Sequence, residues 1–430
     1  MKEILDTENL TGTIRREALI AALCAVAVAI FFLLFTPPFW LAEEPAIAAH
    51  LAHGHGFLSP LDPTANAIPT AMSPPLYSLL MAGVYKIFGI ETTTSLRIML
   101  AINVISAGLV AAGIYVLAAR CFNIRSARLA ALLFMLNPVF GRAVTVLWHT
   151  YPVLAALIWT IIWCRGMNVR GSASLPSMLM LGVALGLIAL SSPTVVLAYP
   201  ILVSFAIGKT TWEKWFKLST MCFATFCVVL LPWTVRNYEV FGRLFFVRNN
   251  FPLEIWVGNQ PGATGVHNLR NHPSLDLVER AKLMEAGENR YFDGCWKRFA
   301  ARYHEAPLAY WGLTLRRTGL LFVDSYNDRQ FRAVRVLIDG LFAALGIAGM
   351  WTAWRCGLPY LWLFGSLALC SFPYIFTEVN PSYSMPLRIA FMIYGGFGLA
   401  VFTEYLSKTF SRHRGASQRE ARAMMASRNR

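Results

Sequence analysis

The sequence predicts an all-α polytopic membrane protein, and three observations predict it. Hydrophobic residues make up 56% of the chain and charged residues 14%, against about 45–50% and about 25% in soluble domains. The mean hydropathy is +0.50. Several apolar runs reach the roughly 20 residues needed to cross about 30 Å of hydrocarbon. The short alternating segments of about 10 residues that a β-barrel requires are absent from the sequence.

The formal net charge of +15 raises nucleic acid as a partner. However, the basic residues collect in short loops and at both tails, which is the distribution that membrane insertion imposes. The lipid bilayer is the expected partner instead. Eight cysteines occur without a CxxC spacing. Only Cys295 falls in an outward soluble region, so neither an outward disulfide nor a thiolate metal site is expected.

Taken in order, the spans number about ten. The first runs over about 17–37 behind Arg15-Arg16. It is longer than a signal-peptide core and reads as an uncleaved anchor with its N-terminus inside. An outer loop, 38–93, follows. Within it, Glu44, Ile47, Ala48 and Leu51 share a helical face up to the His-Gly-His-Gly that ends at Gly56. A second apolar stretch, 75–88, opens with Pro74-Pro75 and is short for a span, so it is placed as an interfacial helix.

Spans two to seven are predicted at about 94–118, 126–141, 146–164, 175–191, 193–208 and 216–232. Clusters such as Arg120, Arg125 and Arg128, and Lys209, Lys214 and Lys217, mark the inner loops. A polar region, 234–330, reads as a small outer soluble segment with helical character over about 276–304. The apolar run 307–323 carries Arg316-Arg317. A charge at the bilayer centre costs about 2.5–3.5 kcal/mol, so this run is placed at the surface. Three more spans, about 333–353, 358–375 and 386–405, precede a basic tail, 407–430, expected to be disordered. The organisation is therefore a transmembrane module 1–233, the outer segment 234–330, C-terminal spans 331–406 and the tail, with both termini inside.

The candidate chemistry centres on Glu43-Glu44, an acidic pair just past the first span. An ionised carboxylate beside a bilayer is costly unless it is solvated or used. A loop acid there can be a solvated group or a general base. Glu44 is preferred as the base because Ile47 and Leu51 would anchor its helix. His50, His53 and His55 have metal-like spacing, but Gly54 and Gly56 loosen it, and no metal is expected. Arg236, Arg243 and Arg248, with Asn237 and Tyr238, follow the seventh span. They can bind phosphate or snorkel beside Trp233. Lys86, Arg97 and Arg388 are further cations at the outer boundary. No GxxxxGK[ST] or GxGxxG occurs, which argues against a nucleotide-dependent pump or enzyme of those types.

Three stretches carry a family resemblance. The first is the acid after the first span followed by Ala52-His53-Gly54-His55-Gly56-Phe57-Leu58-Ser59-Pro60. The second runs from Pro69-Thr70-Ala71-Met72-Ser73-Pro74-Pro75 through Tyr77 to Lys86-Ile87-Phe88-Gly89, with Arg97 soon after. The third is Leu231-Pro232-Trp233-Thr234-Val235-Arg236-Asn237-Tyr238 with Gly258-Asn259-Gln260-Pro261. Together they resemble the GT-C glycosyltransferases. The nearest likeness is to family 39, the protein O-mannosyltransferases, and its bacterial aminoarabinose-transferase relatives.

The resemblance implies a GT-C-like bundle in a bacterial inner membrane. It also implies an inverting transfer of a sugar from a polyprenyl-phosphate donor to a lipid, glycan or protein acceptor. It assigns Glu44 or Glu43 as catalytic acid, and Lys86, Arg97 and Arg236 as donor-phosphate candidates, to which their position at the outer boundary adds Arg243 and Arg388. His149, Tyr77, Asn237 and Tyr238 fall on the acceptor side. The mannosyltransferases show Asp-Glu where this chain has Glu-Glu, and His149 stands where many relatives place a second acid. The alternatives are a lipid-linked sugar transporter or flippase, which should show internal repeats, and a polysaccharide polymerase or ligase, which should rest on arginines in a late loop.

Overall fold

In the computed structural model, residues 2–38, 43–64, 66–267, 272–323, 332–358 and 361–428 are described, with side chains from Thr11 to Thr409. Residues 39–42 of the first outer loop and the predicted start of the ninth span at 359–360 lie outside that set. Among the described residues the chain forms seventeen α-helices and no extended sheet. In chain order they are α1 (Lys2–Phe35), α2 (Glu43–His53), α3 (Pro75–Phe88), α4 (Thr93–Cys121), α5 (Ile124–Leu136) and α6 (Pro138–Ala143). Next come α7 (Thr150–Arg170), α8 (Leu175–Ala189), α9 (Tyr199–Ile207), α10 (Trp212–Phe241), α11 (Phe251–Asn259) and α12 (Leu277–Ala286). The last are α13 (Glu288–Glu305), α14 (Pro307–Phe322), α15 (Arg332–Arg355), α16 (Leu361–Ser371) and α17 (Met385–Arg428).

Among the described residues each of the ten predicted span positions contains helix, and six helices are long and apolar enough to cross a bilayer alone. They are Thr11–Phe35, Thr93–Cys121, Thr150–Arg170, Trp212–Phe241, Arg332–Arg355 and Pro381–Thr409. The chain is thus an integral membrane protein in which other helices are shorter than a span. The predicted span 126–141 divides into α5 and α6 at Asn137. Pro138 has no N–H to donate and pushes Asn137 into extended backbone, φ −83° and ψ 115°. The Asn137 side chain then caps α6 by accepting from the Val139 N–H at 3.0 Å.

The seventh span continues past its predicted end. Pro232 removes one helical hydrogen bond, yet α10 runs on to Phe241 and stops at left-handed Gly242. Trp233 Nε1 donates to the Val247 carbonyl at 2.7 Å and fixes this extension. The basic tail is also helical, as a continuation of α17 to Arg428, where the sequence suggested disorder.

The core is built around α4, which packs against α1, α5 and α7. Close backbone approach joins α15 to α17. A Cβ added at Gly349 would lie 1.9 Å from the Tyr394 carbonyl oxygen. Without a hydrophobic force between helices in lipid, such small-residue contacts carry the packing. Gly349→Ala is therefore expected to separate α15 from α17 and lower the thermal midpoint in detergent. An unchanged midpoint would show that the pair adapts without loss.

The short helices α2 and α3, which follow α1, pack on each other, sharing buried Ala48, Tyr77, Met81 and Tyr85. Between them a narrow hairpin pairs Leu58 with Pro69. Residues 234–330, predicted as an outer segment, contribute α11 to α14. The predicted helical stretch 276–304 is two helices, because Gly287 at φ +76° breaks it.

A candidate active site at the first outer loop

The acidic pair starts α2, where unsatisfied backbone N–H groups favour negative charge. The two carboxylates diverge. Glu44 is buried and its Oε1 lies 3.2 Å from His149 Nδ1. Tyr77 lies edge-on to the same imidazole at 6.3 Å, and its hydroxyl is buried with no hydrogen-bond partner among the described residues. The structure therefore brings together Glu44, His149 and Tyr77, three residues singled out from sequence. His149 lines a cavity of about 40 Å³ with Trp148, Ser192, Thr194, Tyr374 and Tyr383.

Glu43 turns the other way. Its Oε2 accepts a hydrogen bond from Ser73 Oγ at 2.9 Å. Burial and the charge of Glu44 raise its carboxyl above the ordinary range, while Arg248, Ser73 and His267 oppose the rise. Arg248 and Glu254 approach to 3.8 Å, and Asn250 Nδ2 donates to Glu254 Oε1 at 2.5 Å. His267 Nδ1 is hydrogen-bonded to Glu378 Oε1. Two backbone bonds set that pair: His267 N–H donates to the Val379 carbonyl at 2.9 Å, and Val379 N–H donates to the Gly265 carbonyl at 3.1 Å. Glu43, Arg248, Glu254, His267 and Glu378 thus form one electrostatically linked group. Among the described residues, no three His, Cys, Asp or Glu side chains are grouped so that they could hold a metal ion.

The group holds its protons unusually. Burial, then the Glu378 charge, push Glu254 up to about 7 despite Arg248. Burial alone would lower His267, but the adjoining Glu378 carboxylate, with Glu254 and Glu43 nearby, lifts it to about 8 from 6.5. A histidine raised on folding stabilises fully below about pH 6.5, and that contribution is lost as pH rises through about 8. The thermal midpoint is accordingly expected to fall between pH 6 and 9, and to fall less in His267→Gln. Equal slopes in both proteins would refute the pairing.

The other candidates for the phosphate role differ in what they contact. Arg236 donates to the carbonyls of Thr70 at 2.8 Å and Phe57 at 3.0 Å and lies against the Phe57, Trp233 and Phe241 rings. Asn237 is buried and donates to the Phe245 carbonyl at 3.4 Å. Tyr238 is exposed. Arg243 forms a two-pronged pair with Asp293 at 2.8 and 2.7 Å. Arg388 is buried and pairs with Asp339 at 2.6 and 2.9 Å. Lys86 and Arg97 are exposed, near the end of α3 and the start of α4. His50 Nε2 donates to the Asp62 carbonyl at 2.8 Å, and His53 stacks on His55, so the histidine cluster shapes the turn.

Arg317 departs from the surface placement of its helix. Arg316 is exposed, but Arg317 is fully buried. Its guanidinium donates to Asn259 Oδ1 at 3.0 Å and to the Gly258 carbonyl, at the C-terminal end of α11. A cation there satisfies carbonyls that the helix leaves without partners.

Sequence reasoning did not single out Glu254, His267 and Glu378. A signal was present for two of them. Glu254 is the lone acid in Phe251-Pro252-Leu253-Glu254-Ile255-Trp256, and Glu378 is the lone acid in Tyr374-Ile375-Phe376-Thr377-Glu378-Val379. A solitary carboxylate in an aromatic run is a candidate for a built site.

Residues 72–235 match a family model described as dolichyl-phosphate-mannose-protein mannosyltransferase. No curated protein matches the sequence. Among solved structures, the archaeal oligosaccharyltransferase AglB from Archaeoglobus fulgidus, in complex with an inhibitory peptide and a dolichol-phosphate, is 15% identical with a TM-score of 0.54. The alignment covers 93% of this chain and 52% of that one. The Archaeoglobus fulgidus oligosaccharyltransferase tethered to an acceptor peptide is 17% identical with a TM-score of 0.52, covering 90% and 50%. ArnT from Cupriavidus metallidurans bound to undecaprenyl phosphate is 14% identical with a TM-score of 0.37, covering 90% and 77%. The chain spans about half the length of the oligosaccharyltransferases it matches. It shares the GT-C fold of these oligosaccharyltransferases, and over residues 72–235 it carries a domain similar to the dolichyl-phosphate-mannose-protein mannosyltransferases.

Proposed function

We propose that the protein is a membrane glycosyltransferase that moves a sugar from a polyprenyl-phosphate carrier to an acceptor on the outer face of a bacterial inner membrane, with Glu43 as general base. The observation that carries the reading is Glu43 itself. It is a carboxylate raised by burial, held by Ser73, and facing Arg248 and His267 at the end of a membrane bundle. A base with a raised pKa is better matched to taking a proton near neutral pH than a solvated acid is. Glu44, bonded to His149, instead orients the imidazole that lines the adjoining cavity.

The chemistry is a single displacement. The acceptor oxygen or nitrogen attacks the anomeric carbon, and its proton passes to Glu43. The bond from the anomeric carbon to the phosphate oxygen breaks, and the polyprenyl phosphate leaves with the bonding pair. Inversion at the anomeric carbon follows. Leaving-group charge needs a cation, and Arg248 is suited to supply one. Its Nε is buried with no hydrogen-bond partner among the described residues, and a positioned guanidinium stabilises charge that develops on phosphate oxygens.

The test is transfer from radiolabelled polyprenyl-phosphate sugars by the purified protein in proteoliposomes, read as release of unglycosylated polyprenyl phosphate. Turnover of one donor of this class supports the reading. Failure to consume any of them, in vesicles supplied with protein, glycan and lipid acceptors, would reject it.

A further inference from the structure

The short segment between the hairpin and α3 is held on nearly every polar atom. Thr70 and Ser73 are buried, as is Glu288, the first residue of α13. Glu288 Oε1 accepts from the Thr70 hydroxyl. Its Oε2 accepts from the Ala71 N–H at 3.0 Å and from Asn249 Nδ2 at 3.1 Å. The Thr70 carbonyl accepts from Arg236, and the Ala71 carbonyl accepts from the Asn249 N–H at 3.3 Å. Two residues beyond Ala71, Ser73 donates to Glu43. Pro74 and Pro75 then fix the backbone into α3.

From this geometry we infer that Glu288 and Arg236 form a clamp from the outer segment and the end of α10 that positions Ser73 against Glu43. Both are positioning residues, and the inference rests on Glu43 being the base. Three donors converge on the Glu288 carboxylate. A Gln side chain has one accepting atom and no charge, and its NH₂ would force the Thr70 hydroxyl to turn from donor to acceptor. With the clamp released, Ser73 would lose its alignment, and the ionised form of Glu43 would lose a hydrogen bond. The charged and titratable groups facing Glu43 are Glu44, Arg248, His267 and Glu254. The group facing Glu288 is Arg236. None of these is removed by the test variants, so their contributions cancel between them.

The experiment is the pH profile of kcat/KM for donor consumption by the full-length protein in proteoliposomes. Ser73→Ala is expected to move the acid limb to higher pH by about one unit, the scale of one hydrogen bond to a charged group. Glu288→Gln should move it in the same direction. The double variant should move it no further than Ser73→Ala, because both act through one contact. Thr70→Val removes a single clamp bond, should show a smaller shift, and decides the matter if Glu288→Gln does not fold. A role in folding alone would lower activity at every pH and leave the limb in place, and that result overturns the clamp. If Glu43→Gln remains active, the reading beneath the clamp fails instead, so the two failures are distinguishable.

Discussion

Glu43→Gln is expected to lower sugar transfer by about 10²–10⁴-fold, the usual contribution of a positioned general base, while leaving polyprenyl-phosphate binding intact. The substitution keeps side-chain volume and the Ser73 contact but removes the proton acceptor. Glu44→Gln should be milder in kcat, because Glu44 is proposed to act through His149, 3.2 Å away, rather than on the acceptor. The measurement is single-turnover transfer with saturating donor. An inactive Glu44→Gln beside an active Glu43→Gln would reverse the assignment. Full activity of the double variant would remove base catalysis by this pair.

The largest effect on stability is expected at Arg388. Its guanidinium is matched to Asp339 by two hydrogen bonds at 2.6 and 2.9 Å, with Nε donating to Ser384 at 2.8 Å, and both side chains are buried. The contact ties α15 to α17. Removing one partner of a buried pair leaves the other charge uncompensated and costs about 3–5 kcal/mol. Arg388→Ala should therefore reduce the thermal midpoint and the yield of folded protein, and Asp339→Ala should do the same. Replacing both with Leu and Met should recover much of the loss. A phosphate-binding Arg388 would behave differently, with weaker donor affinity and an unchanged midpoint.

These two residues illustrate how much was readable before the structure. Helix positions were legible because membrane helices follow apolar run length, and the boundaries of α3 follow from Pro74-Pro75 and Gly89. The Glu44–His53 helix was readable from its shared apolar face. Span integrity was less legible. Asn137-Pro138 breaks a run, whereas Pro232 does not, and the difference lies in tertiary anchors such as the Trp233–Val247 bond. In the site, the acidic pair was visible as charge at a membrane exit. The partners of each arginine were not, since Arg236, Arg243 and Arg388 look alike in sequence. They differ only in what lies opposite: backbone carbonyls, Asp293 and Asp339. Likewise His267 and Glu378, 111 residues apart, meet only through the bridge that joins Val266 to Val379.

The central claim is that a lipid-borne phosphate is held beside Glu43. Its most direct measurement is the position of that phosphate in a cryo-electron-microscopy structure of the protein with polyprenyl phosphate. The account predicts phosphate oxygens within about 3 Å of the Arg248 guanidinium on the Glu43 face of α2. A phosphate seated away from the first outer loop, with Arg248 still turned to Glu254, would contradict it.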